Sequence, residues 1–244
     1  MNLVIDIGNT KIKAAAFNGS EMVQTITDER NSSNILDFLR TGNKMYSKCI
    51  ISSVTEIPKK LKPITRYLET EPVLLDDETP VPFTNLYSTK HTLGKDRIAA
   101  IAGACWLYPD KNVLVIDAGT AVTYDFKTEN EEYLGGNISP GLTMRFKALN
   151  SFTAKLPAVE SSDEFGLLGR STELAIRNGV QNGLIFEINT YIETFGNKYN
   201  DFVVILTGGD AHFFENKLKK PIFVVSNLTL IGLNIILQHN AKMF

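Results

Sequence analysis

The sequence predicts an α/β fold in two duplicated halves, each a mixed β-sheet with helices on its faces. Three observations carry this. "LVIDIG" (Leu3–Gly8) and "LVIDAG" (Leu114–Gly119) place the same apolar run, aspartate and glycine at the same spacing, in a chain of 244 residues. Each copy is followed by two further strand-like runs and then a helical pattern, a β-β-β-α unit written twice rather than a short-period solenoid. The later strand-like runs alternate with helical ones, which calls for parallel strands joined through helices beside the antiparallel set.

In the first half, residues 3–7 form an apolar run broken only by Asp6, so they read as a buried strand, closed by Gly-Asn-Thr. "KIKAAAF" (11–17) alternates as a second strand, Asn18-Gly19 is a hairpin signal, and "MVQTIT" (22–27) is a third strand. Asn31, Ser32 and Ser33 offer helix caps before "NILDFLR". "KCIISSV" (48–54) reads as a strand, "KKLKPITRYLE" as a helix and "PVLLDD" as a strand. Residues 80–95 are rich in turn formers without periodicity and read as a long ordered loop. The helical "DRIAAIAGACWLY" follows; apolar on several sides, it belongs in the core or against a partner.

The second half repeats the pattern. "NVLVIDAGT" (112–120) is a buried strand and turn, "AVTYDF" (121–126) a second strand, and "YLGGNIS" a third. Pro140 or Gly141 opens a helix to about Lys155, and a longer helix covers about Thr172–Phe195. Strand "FVVILTGG" (202–209), helix "DAHFFENKLKK", strand "IFVVS" and helix "LTLIGLNIILQHNAK" close the chain. "WLYPDKN" (106–112) is the junction, giving domains 1–111 and 112–244.

Composition excludes several classes. The net charge is −2, with acid and base spread along the chain, which is poor footing for nucleic-acid binding. The apolar runs are too short to span a bilayer, and "MNLVIDIGNT" lacks the basic and apolar regions of an export signal. Cys49 and Cys105 have no metal-ligand spacing and read as buried, reduced thiols of a cytoplasmic protein.

A carboxylate at the end of a buried strand is costly unless paired or bound to a cation. In Asp6-Ile-Gly-Asn-Thr10 the glycine permits close backbone approach, and the turn can cradle a phosphate while Asp6 holds Mg²⁺ directly or through water. A plain β-turn is the bland alternative for one copy. The second copy, Asp117-Ala-Gly-Thr-Ala121, weighs against it, because a structural turn need not keep a strand-end carboxylate. Thr207-Gly-Gly-Asp-Ala211 adds paired glycines between strand and helix, suited to a nucleotide's phosphate end, although Asp210 can also be a simple N-cap. This set resembles the ATPase superfamily of actin, sugar kinases and heat-shock chaperones, whose ribonuclease-H-like domains are duplicated. Gly94-Lys-Asp-Arg97 precedes a helix. Asp96 there reads either as an N-cap or as a general base beside a cationic anchor for a carboxylate.

Seven motifs in order resemble type III pantothenate kinases along nearly the whole chain: "DIGNT", "GKDR", "DAGTA", "GGNISPG", "TAKLP", "GRSTELAIRNG" and "TGGDA". The resemblance implies that the turn Asp6, Ile7, Gly8, Asn9, Thr10, Lys11, Ile12 and Lys13 binds ATP and its Mg²⁺ or other divalent cation, with Asp6 acting on the metal through water. It implies Thr120 on ATP and Asp117 on a monovalent cation, K⁺ or NH₄⁺. Asp96 becomes the base for the primary hydroxyl of pantothenate, with Tyr87, Gly94, Lys95, Arg97 and Thr172 lining the substrate pocket. Lys95 stands where relatives often carry a smaller residue, either drawing in the anionic substrate or solvated. A homodimer and a cytoplasmic location are also implied. Two other functions stay open. A sugar kinase of the superfamily would share the ATP turns but not the GKDR and STELAI combination. A DNA-binding regulator of the same fold would not need Asp6, Asp96 and Asp117 together.

Overall fold

In the computed structural model, residues 1–29, 34–41, 45–219 and 221–241 are described. The chain divides into two compact units. Unit 1 holds residues 1–109, 131–133 and 227–244, and unit 2 holds 110–130 and 134–226. The expected division at 111/112 follows the sequence duplication, whereas these units follow packing. Packing assigns the C-terminal helix to unit 1.

Unit 1 begins with β1 (Asn2–Ile7), β2 (Lys11–Asn18) and β3 (Glu21–Glu29), an antiparallel meander, then α1 (Asn34–Thr41) and β4 (Lys48–Ser53), which pairs parallel to β1. β5 (Val73–Leu74) adds to β4, giving the order β3-β2-β1-β4-β5. β1 is buried on both sides. Leu3, Ile5 and Ile7 join Ile12, Ala14, Cys49 and Ile51 in a core with Ile35, Phe38 and Leu39 of α1. The opposite face packs on α2 (Lys95–Leu107) and α6 (Leu228–Ala241). These two helices cross at glycines: a Cβ on Gly232 would lie 1.7 Å from the Ala99 carbonyl oxygen, and one on Gly103 2.7 Å from that of Leu228. The apolar α2 is therefore spent on its own unit's core, with residues 97–105 all buried. A short β6 (Thr84–Asn85) pairs in parallel with Glu132 and Tyr133.

Unit 2 repeats the plan. β7 (Asn112–Ala118), β8 (Ala121–Lys127) and β9 (Glu132–Pro140) lead to α3 (Leu142–Ser151) and α4 (Thr172–Lys198). Then come β10 (Phe202–Thr207), α5 (Ala211–Glu215) and β11 (Phe223–Val224). The strand order β9-β8-β7-β10-β11 matches β3-β2-β1-β4-β5 position for position, so the duplication read from the sequence is one of topology as well. Leu114, Ile116, Tyr124, Phe126 and Leu206 face a core shared with Phe146, Leu184, Ile188 and Phe214.

Several elements depart from expectation. The helix expected at 59–67 is present and is of the 3₁₀ type, because Pro63 lies inside it and would clash with the carbonyl four residues back in an α-helix. "PVLLDD" keeps only two strand residues. α3 stops at Ser151, where the Thr153 hydroxyl donates to the Leu149 carbonyl at 2.7 Å, a bond that turns the chain away. α5 has only five residues. The expected caps Asn31, Ser32 and Ser33 lie outside the described residues.

Candidate active site

In unit 1, the sheet registers bring polar residues around Asp6. Lys13 on β2 and Ser52 on β4 are its cross-strand partners, so all three share the face toward α2 and α6. Among the described residues, Asp6 Oδ1 and Ser52 Oγ are buried without a hydrogen-bond partner. Burial, and then the charge of Asp96, raise the Asp6 pKa from 3.8 to about 6. The Ser52 hydroxyl and the Lys13 ammonium favour the charged form but do not prevail, and the hydroxyl does not complete a hydrogen bond. A buried, orphaned carboxylate oxygen within the electrostatic reach of a second carboxylate fits a cation. Among the described residues no group of three or more His, Cys, Asp or Glu gathers as a full metal cage.

Asp96 stands in the first turn of α2, where the helix dipole favours negative charge. It is not the N-cap. Gly94 holds that position, and its carbonyl accepts from Arg97 N at 3.1 Å and Ile98 N at 3.2 Å. Asp96 Oδ1 accepts from Arg97 N at 2.9 Å. A Cβ on Gly94 would sit 2.5 Å from Asp96 Oδ1, so glycine is what leaves the carboxylate its place. The obstructed atom ends a short side chain that can rotate away. Gly94→Ala is therefore expected to cut kcat by about tenfold or more while moving the melting temperature by no more than about 2 °C. Steady-state kinetics beside a thermal melt reads both; a large loss of stability with normal kcat would contradict it.

Arg97 is buried, with its guanidinium 5.5 Å from the centroid of the Tyr87 ring. Lys95 lies 4.0 Å from Asp77, a third arrangement beside the two expected for it.

Gly8 N donates to Lys11 O at 3.0 Å, closing the first turn, and Asn9, Thr10 and Lys11 are exposed. Ile7 and Ile12 are buried in the core, so they can meet a ligand only through backbone.

In unit 2, Asp117 has Thr123 and Thr207 as cross-strand partners, where Asp6 has Lys13 and Ser52. The pairing Ala118↔Val122 encloses one residue fewer than Ile7↔Ile12. The two turns thus differ in length and in the charge opposite the acid. Two other motifs close on the second turn. Gly208, at φ +97°, would carry a Cβ 2.4 Å from Asp117 Oδ1, and Gly141 one 2.1 Å from the Gly119 carbonyl oxygen. Asp210 N donates to Ala118 O at 2.9 Å. Asp210 occupies the N-cap position of α5 without a side-chain cap. Thr120 is exposed beside Gly119. Arg145 steadies this corner, donating to Pro140 O, Ser139 Oγ and Glu187 Oε2, while the Tyr124 hydroxyl donates to Glu187 Oε1. Thr172 is exposed at the first residue of α4, after the N-cap Ser171, and makes no side-chain hydrogen bond among the described residues.

Sequence reading missed Ser52, Asp77 and Tyr133. Ser52 had a signal: a polar residue at the end of "KCIISSV", the strand that pairs with β1. Asp77 and Tyr133 had none, because only tertiary packing brings them to Lys95 and Tyr87.

A sheet order repeated in both units, with a strand-end carboxylate at the first turn of each, is the arrangement of the actin-like ATPase fold. A model of the family described as type III pantothenate kinase matches residues 2–194. The chain is 47% identical over 243 residues to a type III pantothenate kinase of Phocaeicola vulgatus, covering 100% of both chains. It is 45% identical to that of Christiangramia forsetii, covering 98% of this chain and 99% of that one. The chain belongs to the type III pantothenate kinase family. Among solved structures, a conserved Baf family protein from Campylobacter jejuni, described as a candidate transcriptional activator, has TM-score 0.63 at 24% identity, covering 98% and 99% of the two chains. A glucokinase from an Antarctic psychrotroph has TM-score 0.53 at 13% identity, covering 98% of each. At these identities the likeness is one of fold.

Proposed function

We propose that this protein transfers the γ-phosphoryl group of ATP to the primary hydroxyl of pantothenate, giving 4'-phosphopantothenate, the first step of coenzyme A biosynthesis. The observation that carries this is the buried, unpartnered Asp6 carboxylate oxygen, near enough to Asp96 to feel its charge, joined to a family match over most of the chain. Asp96 accepts the hydroxyl proton as general base and aligns the oxygen. Arg97 offers two parallel N–H bonds to the substrate carboxylate, beside Tyr87, Gly94 and Lys95, with Thr172 a further substrate contact. The turn from Asp6 to Lys13, with Thr120, holds ATP. A divalent cation would supply neutralisation of phosphate charge when bound, with Asp6 holding it through water. Asp117 takes K⁺ or NH₄⁺. Domains 1–111 and 112–244 are each one copy of the ancestral unit.

A homodimer is supported by exposed apolar side chains on unit 2. Ile138, Met144, Phe152, Leu167, Leu168, Leu174 and Phe186 are all open to solvent, with Phe152 88% exposed. An apolar groove of about 530 Å³ between α3 and α4 adjoins Phe152. Among the described residues no helix is long and apolar enough to cross a membrane, and a cytoplasmic location fits the substrate.

The test is ADP release with and without pantothenate, in K⁺ and in Na⁺. Release is expected only with pantothenate, and several-fold faster in K⁺. Equal release without pantothenate, or preference for a sugar acceptor, would overturn the assignment.

A further inference from the structure

Arg97 lies over one aromatic ring, Tyr87, and the ring stacked behind that one lies in no motif. Tyr87, under the Arg97 guanidinium, is itself stacked on Tyr133, with centroids 6.1 Å apart and planes 9° from parallel. Phe83 meets the Tyr133 ring edge-on at 6.2 Å and 79°. Tyr133 is fully buried, while Tyr87 is only half-buried. The backbone fixes the same geometry. Thr84 N donates to Glu131 O at 2.9 Å and Leu86 N to Tyr133 O at 3.0 Å, so the strand carrying Tyr133 pairs with the segment leading into Tyr87. Asn85 Oδ1 accepts from Tyr87 N at 3.0 Å, a local bond that fixes the tyrosine's backbone against β6.

We infer that Tyr133 is a positioning residue for the substrate carboxylate: it orients Tyr87, and through Tyr87 the Arg97 guanidinium. This rests on the reading of Arg97 as the carboxylate anchor. An arginine beside an acidic base has two competing partners, the base and the substrate. A ring face under the guanidinium holds its plane in one orientation, and two parallel N–H bonds to a carboxylate require a fixed plane. The half-buried Tyr87 ring is less restrained by its surroundings than a fully buried one. A parallel, immobile ring behind it removes that freedom at the cost of burying Tyr133.

The experiment compares Tyr133→Leu and Tyr133→Phe in the full chain, with two acceptors: pantothenate, and panthenol, in which a neutral CH₂OH replaces the carboxylate. Tyr133→Leu is expected to raise KM for pantothenate about tenfold while KM for ATP and kcat/KM for panthenol change less than about twofold. Tyr133→Phe keeps the ring and is expected to restore KM. If Tyr133→Leu does not fold, Asn85→Ala loosens the Tyr87 backbone and is expected to give the same carboxylate-selective loss, several-fold in size. Equal loss with both acceptors, or no loss with either, overturns the inference. Arg97→Gln separates the two levels. If it too fails to discriminate between the acceptors, the anchor reading is wrong. If it discriminates and the Tyr133 and Asn85 variants do not, only the role of the stack is wrong.

Discussion

Asp96→Asn is expected to lower kcat by about 10²- to 10⁴-fold, the range over which a positioned general base contributes. The fold should persist, because asparagine has the same shape and its side-chain oxygen can still accept from Arg97 N, as Asp96 Oδ1 does at 2.9 Å. One stabilising charge–dipole interaction at the start of α2 is lost. Against that, the repulsion that helps raise the Asp6 pKa disappears. The two effects oppose each other, so the melting temperature should move by no more than about 2 °C. KM for ATP should hold, because the proposed base acts on the acceptor rather than the nucleotide. ADP release with pantothenate, beside a thermal melt, reads all three. Turnover within a few-fold of the parent would remove Asp96 from the base's role and leave it a helix-start residue.

The same two residues show how far the sequence could be read. The strand–Asp–x–Gly repeat was legible because it follows from periodicity and from the cost of a strand-end carboxylate. The strand orders β3-β2-β1-β4-β5 and β9-β8-β7-β10-β11 agree with the duplication it implies. The difference between the copies was half-legible. "DIGNTK" has one residue more than "DAGTA", but that Asp6 faces Lys13 and Asp117 faces Thr123 depends on hairpin register. Asp96 was ambiguous in the sequence, since an acid two residues after a glycine at a helix start serves equally as cap or base. Gly94 as N-cap settles the local geometry. The Tyr133 stack and the Lys95–Asp77 pair were illegible, since they join segments that no periodicity relates. The helix at 59–67 was legible, but its 3₁₀ form was not, because it follows from the local effect of Pro63 on the backbone.

Asp6→Asn should move activity and stability in opposite directions. In the metal-free protein, burial and the neighbouring Asp96 hold the Asp6 pKa near 6 instead of 3.8. The folded state therefore binds this proton more tightly than the unfolded chain does. The resulting stabilisation is fully present below about pH 4 and is lost as the pH rises through 6. At pH 8 the folded protein must keep an ionised carboxylate with a buried oxygen that no protein donor reaches. Asparagine removes that charge, and its amide can donate to Ser52 Oγ, which is itself buried and unpartnered. The variant should be more stable than the parent by on the order of 1–3 kcal/mol at pH 8, with little difference at pH 4. Urea unfolding without nucleotide or divalent ion, at the two pH values, measures this. Activity should fall by at least about 10²-fold, because a neutral amide cannot hold the divalent cation's waters as a carboxylate does. Mg²⁺–ATP should raise the parent's melting temperature more than the variant's, since only the parent has an unsatisfied charge for the cation to neutralise. An equal gain at both pH values would trace the stability to packing. No gain at pH 8 would mean that the carboxylate is already satisfied in the metal-free protein, and its assignment to the cation would lose its physical basis.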